Sequence, residues 1–377
     1  LHLCDRRQRQ MCIRDRYTTL PGFQKAQMNN PMVDVDLKAN TTRAENYRAS
    51  GNVYGQWDFL KNFQFKVMYS MDYASNSSRT YTPVINVFDS SVEGNVVTLG
   101  HGKTGVKQSK ETEAKVQSDY LLTYTNTWGD HSLTATAGFT TYYNKLEMLG
   151  GERTQGVGLV IPDNPDKWYI SIGDAATATN ESKQWERSTV SMLGRVLYNY
   201  KGRYLFNGSF RRDGSSAFSY TGNQWQNFYS VGAGWLMSEE EFMKDITWLD
   251  MLKLRASIGN PGNQNFDAYI AMKIYTYNNH HTNPWGVSAI INNFGNPDLE
   301  WQKTLDRNIG LDLVVFNNRL RVNFDYFSKK TDPLLVYTGV PSSTGGTSVP
   351  ANVGGQVTKG YTVVLNLSLI HISEPTR

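Results

Sequence analysis

The sequence predicts an all-β chain, part of a large antiparallel transmembrane β-barrel. Three observations predict it: long stretches alternate apolar and polar residues with period two, short and long connections alternate along the chain, and no run of 18 apolar residues offers a spanning helix. A spanning strand needs only about 9 to 11 residues, with every second one apolar, so a chain without apolar runs still qualifies.

The alternation is clearest from Phe63 to Tyr73. Phe63, Phe65, Val67, Tyr69, Met71 and Tyr73 fall on one side, with Gln64, Lys66, Ser70 and Asp72 between them. Val116, Tyr120, Leu122, Tyr124 and Trp128 repeat the pattern, followed by a Gly129-Asp130 turn and by Leu133, Ala135, Ala137 and Phe139. Tyr204, Phe206 and Phe210 form another set, and Leu252, Leu254, Ala256 and Ile258 a further one. The clearest hairpin runs from Leu305 to Val315, turns at "FNNR" and returns through Leu320, Val322, Phe324 and Tyr326. Roughly ten to twelve such strands are expected, about half of a large barrel. Their apparent length, roughly 9 to 13 residues, exceeds that of soluble sandwich strands, and several end in aromatics such as Trp128, Tyr142, Tyr143, Tyr198 and Tyr200.

Short turns are expected at Leu60 to Asn62, Gly129 to Asp130, Lys201 to Arg203 and Asn317 to Asn318. Long polar connections are expected at Ala74 to Glu113, Leu146 to Glu186, Tyr277 to Gln302 and Val340 to Gln356. Barrels of the outer membrane show this asymmetry, with the long loops outside. One short helix is expected at "SEEEFMK", where Ser238 can cap and Glu241 can reach back.

The two ends have a different character. Residues 1–16 and 367–377 read as translated transposase-type sequencing adapters, and the expected native part is 17–366, a partial barrel domain. Cys4 and Cys12 both lie in the head, which removes disulfide and thiol chemistry from the reading. Five Arg against Asp5 and Asp15 in that head supply most of the formal charge of +4, so the charge carries no argument for nucleic acid.

Catalytic and cofactor motifs do not emerge. No phosphate loop or nucleophile elbow is present, and the His280-His281 pair has no carboxylate at ligand spacing, so neither a catalytic site, a cofactor nor a metal is expected. Asp306, Asp312 and Asp325 fall on the polar side of their hairpin, as expected of groups lining a hydrated lumen.

Four stretches resemble the SusC/RagA family of TonB-dependent outer-membrane transporters. They are "FRRDGSSAF" (Phe210 to Phe218), "YSVGAGWLMSEEEFMK" running into "WLDMLKLRASIGNPGNQ" (Tyr229 to Gln264), "NPDLEWQKTLDRNIGLDLVVFNNRLRVNFDYFSKKTDPLL" (Asn296 to Leu335) and "NVGGQVTKGYTVVL" (Asn352 to Leu365). "NVYGQWDFLKNFQFK" (Asn52 to Lys66) is also similar. The resemblance implies a wide barrel in the bacterial outer membrane, not an enzyme, that imports glycans or peptides. It further implies energy through TonB and a partnership with a SusD-like lipoprotein lid. Against that family the chain is expected to lack the signal peptide, the plug, the TonB-contacting segment and the last strands. Loop aromatics able to stack on a sugar ring are Trp168, Tyr169, Trp185, Trp225 and Trp285. The competing readings are a soluble or surface carbohydrate-binding β protein, which predicts shorter strands, and an outer-membrane enzyme barrel, which predicts a nucleophile and a His together on the polar wall.

Overall fold

In the computed structural model, residues 17–18, 41–88, 96–99, 102–263, 266–283 and 286–368 are described. Eleven strands form one unbroken antiparallel path in chain order: β1 (Thr42–Phe59), β2 (Phe63–Thr82), β3 (Gly105–Trp128), β4 (His131–Thr154), β5 (Thr179–Tyr200), β6 (Tyr204–Ser215), β7 (Trp225–Leu236), β8 (Leu249–Gly259), β9 (Gln302–Val315), β10 (Leu320–Thr331) and β11 (Gln356–Leu367). Each expected alternating stretch lies inside one of these strands. Strand β11 pairs through Leu367, one residue past the boundary drawn from the sequence, and the Ser368 amide donates to the Arg319 carbonyl.

Register carries the apolar side chains from strand to strand. Val322 sits between Leu313 and Leu365, and Phe324 between Leu311 and Val363, while Asn323 and Asp325 face the other way. A sheet exposed to lipid on one side needs this pattern, because a slip of one residue would exchange the two faces. Many of the apolar side chains remain exposed, among them Ile309, Tyr361, Val363 and Leu365.

The short turns form where expected. Gly129 has φ +56, as the first central position of a II′ hairpin turn requires, and Asn317 and Asn318 take left-handed conformations in the "FNNR" turn. A belt of rings crosses the sheet beside these turns. Trp128 stacks on His131, His131 lies 4.8 Å from Tyr200, Tyr200 stacks on Tyr204, and Tyr204 stacks on Trp235. Trp57, Phe59, Phe63 and Tyr124 form a second run of the same kind.

Two expectations are corrected. The strands reach 24 residues in β3 and β4, so much of the expected long connections 74–113 and 146–186 is strand. Polar cross-strand pairs such as Ser78 with Ser109 and Asn76 with Glu111 continue the ladder there. The apolar alternation stops, and with it the signal visible in sequence. At "SEEEFMK" no capped helix forms: single 3-10 turns cover Met237–Glu239 and Glu241–Met243, without a side-chain cap, and the buried Ser238 hydroxyl has no partner among the described residues. Glu240 between them is extended because its carboxylate is engaged elsewhere: it accepts from Tyr204 Oη at 2.6 Å, Trp235 Nε1 at 3.0 Å and Arg203 Nη1 at 3.1 Å.

The chain divides into two compact units. One comprises residues 1–50, 72–114 and 145–185, with a core of Tyr81, Val106, Ile161 and Trp168. The other comprises 51–71, 115–144 and 186–377, and its core lies at the long-loop end: Ala217, Phe218, Phe228, Ile270, Ala271, Leu299, Trp301 and Leu335.

Candidate functional site

The polar face of the second unit is built from charges that neutralise one another. Arg255 on β8 reaches across β9, donating from Nε to both Asp312 oxygens at 3.2 Å and from Nη2 to Asp325 at 2.7 Å. Asn323 donates to Asp312 at 2.9 Å. Gly310 makes this reach possible, because a Cβ there would lie 2.6 Å from the Arg255 guanidinium carbon and 2.8 Å from an Asp325 oxygen. Two of the three aspartates noted in the sequence, Asp312 and Asp325, are thus held as acceptors of a fixed guanidinium, while Asp306 faces Lys329 at 3.4 Å. Nearby, a concavity of about 390 Å³ is lined by Asn199, Asn207, Lys253, Arg255, Ser257 and Asn308 among others. Its amides, hydroxyls and cations suit a hydrated surface that binds polar groups through many weak hydrogen bonds.

At the long-loop end, four loop segments interlock over the polar face, the face to which Phe228 belongs. Trp301 stacks on Phe218 at 5.2 Å and meets Phe228 edge-on at 5.6 Å, while its Nε1 donates to the Gln224 carbonyl. Asn223 donates to the Leu299 carbonyl, Asn296 to the Pro350 carbonyl, and Asn352 and Glu300 exchange two hydrogen bonds. Trp301 is 2% exposed. It was not singled out from sequence, although "NPDLEWQ" lies within the longest family-like stretch.

The aromatics expected to meet a ligand have different surroundings. Trp168 is 1% exposed, with its ring parallel to Tyr81 at 5.6 Å and its Nε1 without a partner among the described residues. Tyr169 is 47% exposed and lies under the Arg79 guanidinium at 4.6 Å. Trp185 is half-buried on β5. Trp225 starts β7 on the same side as Tyr229 and Val231, where it packs over Gly214 and faces Arg212 at 5.5 Å. Trp285 lies outside the described residues. Trp168, Tyr169 and Trp185 belong to the first unit and Trp225 to the second.

The family model described as "TonB dependent receptor-like, beta-barrel" matches residues 13–370. The chain belongs to the TonB-dependent receptor β-barrel family. Among similar proteins, TonB-dependent receptor P39 of Formosa agariphila is 27% identical over 352 residues, covering 93% of this chain and 31% of that protein. TonB-dependent receptor SusC of Bacteroides thetaiotaomicron is 27% identical over 357 residues, covering 93% of this chain and 33% of that protein. The chain therefore spans about a third of the length of the relatives it matches. Among solved structures, the RagAB peptide transporter superposes with a TM-score of 0.76 at 23% identity, over 92% of this chain and 36% of that one. The SusC/RagA resemblance stands, and the chain is an outer-membrane β-barrel segment of a non-enzymatic receptor and transporter family.

In this TonB-dependent barrel wall, the alternating apolar side is the lipid-facing side and the Arg255 network lines the lumen. The ring belt from Trp128 to Trp235 is then the interfacial girdle on the short-turn side. Glu240 ties the polar atoms of Tyr204 and Trp235, which lie at the edge of that girdle, to Arg203. Its carboxyl is held below the usual range, first by the Tyr204 hydrogen bond and then by that of Trp235.

Proposed function

We propose that the chain supplies part of the wall and mouth of an outer-membrane active importer of glycans or peptides. The importer is energised through TonB and works with a SusD-like surface lipoprotein. The observation that carries the reading is the packed loop core around Trp301, Phe218 and Phe228, which makes a fixed rim over the lumen side of the wall. A rim of this kind presents a constant surface to a lid protein and to a captured solute, whereas an import step still requires something inside the barrel to move. Large polar solutes do not diffuse through an occluded lumen, hence the requirement for energy from the periplasmic side. The peptide alternative is supported by the likeness to RagAB, which is a peptide transporter. The glycan alternative is supported by the exposed ring of Tyr169, of a kind that suits the apolar side of a sugar; Trp225 lies on the lipid-facing side and is not a candidate for stacking on an imported glycan.

The test is uptake of labelled oligosaccharide and oligopeptide pools by cells with and without the gene that carries this chain, each with TonB intact or deleted. Import of one pool that requires both the gene and TonB is the expected result, and the pool identifies the substrate class. Gene-dependent uptake that persists without TonB would sink the reading. Co-purification with a surface lipoprotein, lost on deleting residues 340–347 at the tip of one long loop, tests the lid.

A further inference from the structure

On five of the strands the lipid-facing side carries charge of one sign, at one end. On this side of β6, β7, β9, β10 and β11 there is no Asp or Glu, and every cation lies toward the long loops: Arg212, Lys303, Arg307, Lys330 and Lys359. The acidic residues of these strands, Asp213, Asp306, Asp312 and Asp325, are all on the opposite side. Asp213 is the immediate neighbour of Arg212, and Asp306 of Arg307, so the pleat itself separates the signs.

Cross-strand register shows where the cations stand relative to the apolar band. Ile309, Tyr326 and Tyr361 form one row, exposed by 62%, 43% and 77%. The next row outward is Arg307, Ser328 and Lys359, and the next is Leu305, Lys330 and Val357. Arg307, Lys330 and Lys359 are exposed. Lys330 has Asp332 at 2.8 Å, whereas Arg307 and Lys359 have no ion-pair partner among the described residues. On β6 the order is the same, with Phe210 followed outward by Arg212, which lies against Trp225.

We propose that this row binds the phosphates of a phosphorylated glycolipid of the outer leaflet, with the tyrosine row at the level where acyl chains give way to headgroups. The assignment rests on this side meeting lipid and on the long loops facing outward, and does not depend on what the importer carries. Arg307 and Lys359 flank Ser328 at two strand spacings, about 10 Å, a span that one polyanionic headgroup covers. Guanidinium and ammonium groups suit phosphate oxygens through charge-assisted hydrogen bonds, and an uncharged headgroup offers them nothing comparable.

The full-length protein carrying this chain, reconstituted in nanodiscs, tests the assignment by native mass spectrometry of retained lipid. The probes are bis-phosphorylated lipid A, the same lipid with its phosphates removed, and phosphatidylglycerol. Wild type is expected to retain lipid A in preference to both others. Arg307→Gln with Lys359→Gln is expected to lower that retention roughly tenfold or more, whereas Arg321→Gln with Lys329→Gln, the charge-matched change on the lumen side, leaves it intact. Equal retention by the Arg307 and Lys359 variant overturns the proposal, and so does indifference of the wild type to the phosphates. Equal preference for phosphatidylglycerol overturns the assignment to the outer-leaflet lipid. The wild-type comparison of the three lipids needs no variant, so a folding defect in the double substitution leaves the test decisive. Loss of lipid preference with import intact separates failure here from failure of the import reading.

Discussion

Glu240 and Gly310 each perform a task that their residue type alone does not announce. Glu240 has the composition of a capping triplet around it, yet it closes the edge of an aromatic girdle by accepting from Tyr204, Trp235 and Arg203. Because its folded pKa is depressed, the stabilisation it gives is present above the unfolded value and is lost as pH falls through the folded one. Heat-modifiability of the detergent-solubilised protein is therefore expected to weaken below the ordinary glutamate range. Glu240→Gln should show the acid behaviour already at neutral pH and flatten the profile. Gly310→Ala puts a methyl group against Arg255 and Asp325 and is expected to destabilise by about 1–3 kcal/mol, measured by urea unfolding in lipid. An unchanged urea midpoint would show that the Arg255 bridge tolerates displacement. Neither role was legible in sequence, since each depends on partners from other strands.

At the scale of the strand, legibility followed the environment of each segment. Where one face meets lipid and the other the lumen, the alternation is nearly complete, and β2, β8, β9 and β10 could be read off directly. Beyond the apolar band both faces of β3 and β4 are polar, so pairs such as Ser78 with Ser109 hold the ladder without leaving a periodic trace. The same segment-level argument gives a two-sided prediction on β10. Val322→Lys and Phe324→Lys each place an ammonium toward lipid and are expected to cost roughly 2 to 4 kcal/mol. Asn323→Lys, between them on the lumen side, is expected to cost much less. Equal costs at all three positions in urea titrations into vesicles would contradict the assignment of faces.

At the scale of the molecule, the decisive feature is the loop core, which joins segments far apart in sequence. Trp301→Ala removes the ring that Phe218 and Phe228 both touch and is expected to cost about 3–5 kcal/mol within that core. Hydrogen exchange should rise in 216–224 and 294–301, with β9 and β10 staying protected; faster exchange spread evenly over the wall would mean that the rim is not a separate unit. By itself the sequence determined the all-β class, the faces of the strands, the positions of the short turns and the family, because alternation and turn chemistry are properties of neighbouring residues. Tertiary structure alone decided that Trp168 stacks on Tyr81, that Trp301 anchors the rim and that Glu240 serves a girdle in place of a helix cap. A side chain's solvent is set locally by which face it occupies, but its partner is chosen by distant segments that meet only when the sheet has formed.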